Sequence, residues 1–116
     1  MAVNVINNKL KSCVVHASAA NASLVIAGNN SVSNITSSDT QTITGATITR
    51  LWYGASGSGY WNVKRGTNLV CSVVGTGNLL FDGTPITIDK TATLELELIG
   101  TANGFIMVEL HKEGNH

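Results

Sequence analysis

Leu94, Leu96 and Leu98 alternate with Glu95 and Glu97, and after a turn at 100–104 Ile106, Val108 and Leu110 alternate with Met107, Glu109 and His111. Successive side chains of a strand leave opposite faces, so a period of two with one apolar and one polar side marks a half-exposed antiparallel strand. No segment repeats apolar residues at i, i+3, i+4 and i+7 over a full helix length. These two observations restrict the chain to all-β architectures.

The rest of the sequence is punctuated to match. Strand-like runs occur at Lys11–Ala17, Ala22–Ala27, Thr42–Tyr53, Tyr60–Arg65, Leu69–Val74 and Leu79–Phe81. Between them lie Gly28-Asn29-Asn30, the Gly/Ser cluster at 54–59, Gly66-Thr67-Asn68, Gly75-Thr76-Gly77 and Asp82-Gly83-Thr84-Pro85, all turn-forming sequences. The turn at 66–68 is short enough to make a β-hairpin of its two flanking runs. Residues 29–41 are almost wholly Asn, Ser and Thr and read as a long loop or a loosely held edge segment. Thr, Ser, Asn and Gly make up 47 of the 116 residues, a composition of many short strands and tight turns. The expectation is an antiparallel β-sandwich of eight to ten short strands, jelly-roll-like, with a closed barrel as the second choice. Residues 1–9, with Val3, Val5 and Ile6, form an N-terminal arm or an edge strand; residues 10–116 form the single domain.

Length and charge narrow the function. A chain of 116 residues is one domain with one core. Seven Lys and Arg balance seven Asp and Glu, so the basic excess of a nucleic-acid binder is missing. With 12% charged residues the surface is weakly protected against association, which suits a part of an assembly. No run approaches 18 apolar residues and the N-terminus lacks a signal pattern, so no membrane partner and cytoplasmic synthesis are expected. Cys13 and Cys71 lie in apolar runs and read as small core residues in a reducing compartment. The Asn-x-Ser/Thr triplets at Asn21, Asn29 and Asn34 read as products of composition.

Each candidate for chemistry has a simpler strand or turn reading. Gly57-Ser58-Gly59 is a turn and not a nucleophile elbow. His16, His111 and His116 share no ligand spacing with each other or with either cysteine. Glu95 and Glu97 stand about 7 Å apart on one strand, a separation a glycosidase pair can have, but they are the polar face of an amphipathic strand. Asp82 and Asp89 flank a turn without a calcium-loop pattern. No enzyme and no cofactor are expected. Trp52, Tyr53, Tyr60 and Trp61 flank the Gly/Ser turn and read as hairpin or core packing, with stacking on a sugar as the functional alternative.

One stretch resembles a known group. Ile48-Thr49-Arg50-Leu51-Trp52-Tyr53, a Gly/Ser turn, and then Trp61-Asn62-Val63-Lys64-Arg65-Gly66-Thr67-Asn68-Leu69-Val70 resemble small β-sandwich structural proteins of tailed bacteriophages. The Gly75-x-Gly77 break, the run through Phe81-Asp82-Gly83 and the final Leu-Glu-Leu-Glu-Leu hairpin continue the pattern over about residues 42–112. Its distinctive motif is Trp61-x-Val63-x-Arg65-Gly66. The resemblance implies a capsid decoration, or cement, protein on the virion surface. It implies the major capsid protein as partner and a homo-oligomer, with a trimer favoured. Val3, Val5 and Ile6 are then the contact residues of the arm. The alternative is a carbohydrate- or receptor-binding module of a tail fibre, using Trp52, Tyr60 and Trp61 as an aromatic platform.

Overall fold

The alternating runs all become strands. A computed structural model of the chain describes residues 2–18, 21–81, 90–101 and 103–115. Among these residues there are nine strands and no helix: β1 Ala2–Ile6, β2 Ser12–Ser18, β3 Ala22–Leu24, β4 Thr42–Ala55, β5 Tyr60–Arg65, β6 Asn68–Val74, β7 Gly77–Leu80, β8 Leu94–Ile99 and β9 Gly104–Asn115.

They form two antiparallel sheets, ordered β1-β2-β9-β4-β7 and β3-β8-β5-β6. The order has a simple origin. β5 pairs with β6, β4 with β7, β3 with β8 and β2 with β9, like the nested arms of one long hairpin. Pairing of β4 with β9 and of β5 with β8 rolls that hairpin into two layers, which is a jelly roll. The barrel alternative is set aside, because among the described residues each sheet keeps two open edges.

At the tip of the hairpin Arg65 pairs with Asn68, leaving a two-residue loop of Gly66 and Thr67. Gly66 has φ +61°, the left-handed conformation that such a loop requires.

The core lies between the layers. The five-stranded sheet contributes Val15, Ala17, Ile48, Leu51, Ile106, Val108 and Leu110; the four-stranded sheet contributes Leu24, Trp61, Val63, Leu94 and Leu96. The alternation of the last third reads correctly: Leu94 and Leu96 are fully buried, Leu98 packs against the core, and Glu95 and Glu97 are half-buried on the outside.

β4 departs from simple alternation, because residues 45–48 are buried in succession. Register shifts between Ile43 and Gly45 and between Ile48 and Arg50 leave Thr44 and Thr49 unmatched to β9. A bulge adds one residue and reverses which face the following side chains take. The second bulge puts Leu51 in the core and sends Arg50 and Trp52 outward.

Residues 29–41 are a loop, but not a loosely held one. Ser33, Ile35 and Gln41 are buried. The Ser33 hydroxyl donates to the Ile26 carbonyl at 2.6 Å, and the Gln41 amide donates to the Leu10 carbonyl at 2.6 Å. Asn34 stops β3 early: its Oδ1 accepts from the Val25 N–H at 2.7 Å and its own N–H donates to the Val25 carbonyl at 2.8 Å. The run expected to reach Ala27 therefore leaves the ladder after Leu24, while Ile26 stays fully buried.

Candidate interaction surface

The two outer faces of the sandwich differ in kind. The four-stranded sheet shows a polar, internally satisfied face. Ser23 donates to Glu95 at 2.6 Å, Lys64 pairs with Glu97 at 3.7 Å, and Ser72 donates to Asn62 at 2.5 Å. Both glutamates of the paired-carboxylate candidate are thus engaged with neighbouring strands.

The five-stranded sheet sets an apolar pair beside a charged pair at its centre. Its ladder aligns Asn4, His16, Met107, Trp52 and Asn78 in one row across β1, β2, β9, β4 and β7. The next row is Ile6, Val14, Glu109, Arg50 and Leu80. Beyond the first row Phe105 stands between Ser18 and Gly54. The Arg50 guanidinium lies over the Trp52 ring, 5.2 Å from its centroid, and its Nε is buried without a hydrogen-bond partner. Glu109 stands opposite Arg50 in the ladder, but its Oε1 accepts from the Thr49 hydroxyl at 2.8 Å. Bulge, cation and carboxylate are therefore linked: the extra residue Thr49 occupies the acid that Arg50 faces.

The edges are also unequal. Asn34 caps the chain leaving β3. On the opposite side β6 and β7 follow one another, and no charged residue occurs from Gly66 to Phe81. Of the eight large apolar side chains that are strongly exposed among the described residues, four lie here: Leu69 at 55%, Val74 at 68%, Leu79 at 37% and Leu80 at 48%. Natural edge strands are commonly blunted by Lys or Pro, and these two carry neither.

The aromatic residues proposed as a sugar platform are not brought together. Trp61 is fully buried and donates from Nε1 to the Gly54 carbonyl at 3.0 Å. Trp52 is half-buried on the outer face of the five-stranded sheet, and Tyr60, beside inward-pointing Trp61, lies on the outer face of the other. The three-residue platform is corrected accordingly: one ring is in the core and the remaining two face opposite ways.

Of the arm residues, Val5 is half-buried against the core and Ile6 is 43% exposed beside Val14. The backbone of Val3 pairs with Ala17. The arm is thus strand β1 of this chain's own sheet, at its edge among the described residues. A cleft of about 240 Å³ separates β1 from β3, lined by Asn4, Val5, Ser23, Leu24 and Asn34. Its Ser23 and Asn34 oxygens are already used in the bonds to Glu95 and Val25.

His16 and His111 share the outer face of the five-stranded sheet, His16 beside Met107 and His111 beside Ser12. Ser12 and His16 are four residues apart on β2, so the imidazoles start about 13 Å apart. Among the described residues no three of His, Cys, Asp and Glu converge as a metal site. Cys13 and Cys71 are free. Asp82, Asp89 and His116 lie outside the described residues.

Two cations, Arg65 and Lys112, are buried where their charge alone predicts exposure. Arg65 is fully buried, donating to the carbonyls of Ala46, Lys90 and Ala92. Lys112 is buried, donating to Asn8 Oδ1 and to the Lys9 carbonyl at 2.6 Å. Burial lowers the Lys112 pKa from its ordinary value. Both follow the inward phase of their strands, Arg65 after Trp61 and Val63, Lys112 after Val108 and Leu110. That phase was the available signal; the charge argued against it.

Comparison with protein-family models, with curated proteins and with solved structures finds no match for this chain.

Proposed function

We propose that this chain is a structural protein that binds by its strands and apolar surfaces, and that it decorates the outside of a viral capsid. The observation that carries the reading is the uncharged β6–β7 edge with Leu69, Val74, Leu79 and Leu80 exposed along it. An open strand edge offers unpaired N–H and C=O groups to a neighbouring chain, and flanking side chains select the partner. The capsid as the partner comes from the resemblance around Trp61-Asn62-Val63-Lys64-Arg65-Gly66. In the fold Trp61, Val63 and Arg65 of that motif are core residues, so the motif supports the reading through the architecture and not as a contact.

On this reading the major capsid protein is the partner, the virion surface is the site of action, and no catalysis, cofactor or nucleic acid is involved. The test is co-sedimentation of the purified chain with capsid shells assembled from the major capsid protein of the same genome. Saturation at a fixed ratio of copies per capsid subunit is expected. Leu69→Asp and Val74→Asp, both at exposed positions, should weaken binding at least tenfold while leaving the far-UV circular dichroism unchanged. No binding of the unaltered chain at about 10 μM sinks the proposal.

A further inference from the structure

The mixed outer face of the five-stranded sheet, with apolar and charged residues side by side, has a pattern that reads the same from a second copy of itself. Consider a two-fold axis parallel to the strands, running between β9 and β4. Rotation about it places β9 of one copy over β4 of the other, and β2 over β7, without moving either row along the strands. Met107 then meets Trp52, and Val14 meets Leu80. His16 meets Asn78, polar against polar. Glu109 meets Arg50, and by symmetry Arg50 meets Glu109. Each pairing follows from the ladder registers alone.

We propose that the chain associates with a second copy of itself through this face, with Arg50 of each copy paired to Glu109 of the other. Two observations select this occupant. The charges are complementary under the two-fold operation, as an isologous interface requires. The Arg50 guanidinium stacks on Trp52 with its Nε shielded by its own chain and unpartnered there, so its terminal Nη groups are the ones that face outward for a partner, and the Glu109 carboxylate accepts from the Thr49 hydroxyl with acceptor capacity left over. The covered area is small, because β1 of each copy projects beyond β7 of the other: four strands at about 4.8 Å spacing by about 20 Å of strand length give roughly 380 Å² per copy, or about 770 Å² in all, the size of a weak association. Two twisted sheets stack face to face with strands within about 30° of parallel, which a two-fold axis along the strands allows.

The inference does not rest on a capsid partner, and it replaces the three-fold assembly implied by the resemblance with a two-fold one. Sedimentation equilibrium of the full chain tests it. A dimeric mass is expected at about 100 μM; a monomeric or trimeric mass overturns the proposal. Arg50→Glu places two acids against two acids across the axis, and Glu109→Arg places two cations against two cations. Each variant alone should be monomeric, and an equimolar mixture of the two should form a heterodimer, because every cross-axis pair is again opposite in charge. Single variants that remain dimeric overturn the proposal, as does a mixture of folded variants that stays monomeric. Should either charge variant lose its β-sheet circular dichroism, Met107→Glu probes the same face from its centre. A monomer is then expected, and a persistent dimer overturns the proposal.

Discussion

The indole Nε1 of Trp61 donates to the carbonyl oxygen of Gly54 at 3.0 Å, and this bond crosses from the four-stranded sheet to the five-stranded one. It sits at the corner where the chain leaves β4 and enters β5. Gly54 is hemmed in from its other side as well, since a Cβ there would lie 2.6 Å from the Phe105 ring. One glycine thus serves the inner layer through its carbonyl and the outer face through its missing side chain.

Replacing Trp61 by Phe removes the donor and part of a fully buried ring. The cost is about 2–4 kcal/mol, from the cavity and the unpaired carbonyl together. In a domain of this size that lowers Tm by roughly 10 °C, measurable by calorimetry. The complementary variant Trp52→Phe leaves only the buried indole, so acrylamide quenching of its fluorescence should be close to nil. Strong quenching of Trp61 in that variant contradicts the buried position.

Arg65 holds three carbonyls of two segments at once: Ala46 at 2.7 Å on β4, and Lys90 and Ala92 in the segment leading to β8. A planar guanidinium does this with fixed donor directions; an ammonium on a shorter reach does not. Arg65→Lys should therefore cost about 2–4 kcal/mol despite keeping the charge. Amide exchange adds a local readout. The Ala46 N–H, which donates to Lys90, and the Gly66 N–H, which donates to Thr93, should exchange faster out of proportion to the global loss. Uniform acceleration across the chain contradicts the clamp.

Residues 2–6 pair with β2 along Ala2–Ser18 to Ile6–Val14. Deleting residues 1–6 exposes the β2 edge and removes Val5 from the core margin, but leaves Asn8 and Lys9 to hold Lys112. The truncated chain should keep its β-sheet circular dichroism, lose about 1–3 kcal/mol in urea denaturation, and aggregate more readily through the new edge. Under the capsid proposal it also binds shells more weakly; full-strength binding removes β1 from the contact.

How much of this was legible follows from what alternation encodes. Period two tells which residues share a face, so β8, β9 and the β5–β6 hairpin were readable, and with them the class of fold. It does not survive a bulge. Nothing in Thr42–Tyr53 announces that Thr44 and Thr49 drop out of register, so the outward turn of Arg50 and Trp52 was hidden. The burial of Trp61 and the exposure of Tyr60 are one phase choice for a pair of adjacent aromatics, and that choice is made by Gly54 and the core across the gap. Ser33 and Gln41 are buried because each bonds a distant or neighbouring carbonyl, Ile26 or Leu10, a tertiary fact that composition cannot carry. The dimer face was invisible for a different reason: it depends on which strands neighbour which, and strand order is set by the rolling of the long hairpin.

The alkaline limb of stability should belong to Cys13. Its thiol is 1% exposed, and burial raises its pKa from 9.0 to about 11, with the nearby Lys112 ammonium acting in the opposite direction. Between those values the unfolded chain has lost the proton and the folded chain has kept it. The unfolded state therefore binds fewer protons, and stability falls as pH rises from 9 towards 11. A shift of this size corresponds to roughly 2–3 kcal/mol over the window. Cys71, also raised by burial, adds loss of the same sign. Lys112 works against both: its lowered pKa means that below 10.5 the unfolded state binds the extra proton, so its own contribution improves as pH rises towards that value. Cys13→Ala isolates the thiol. At pH 7 the variant should be less stable by about 1 kcal/mol, the cost of a small cavity. Urea midpoints at pH 8, 9, 10 and 11 should then fall less steeply for the variant than for the parent, so that the two curves converge or cross at the alkaline end. Parallel curves would mean that the Cys13 thiol ionises equally in the folded and unfolded chains, and the buried position beside Lys112 would have no hold on its proton.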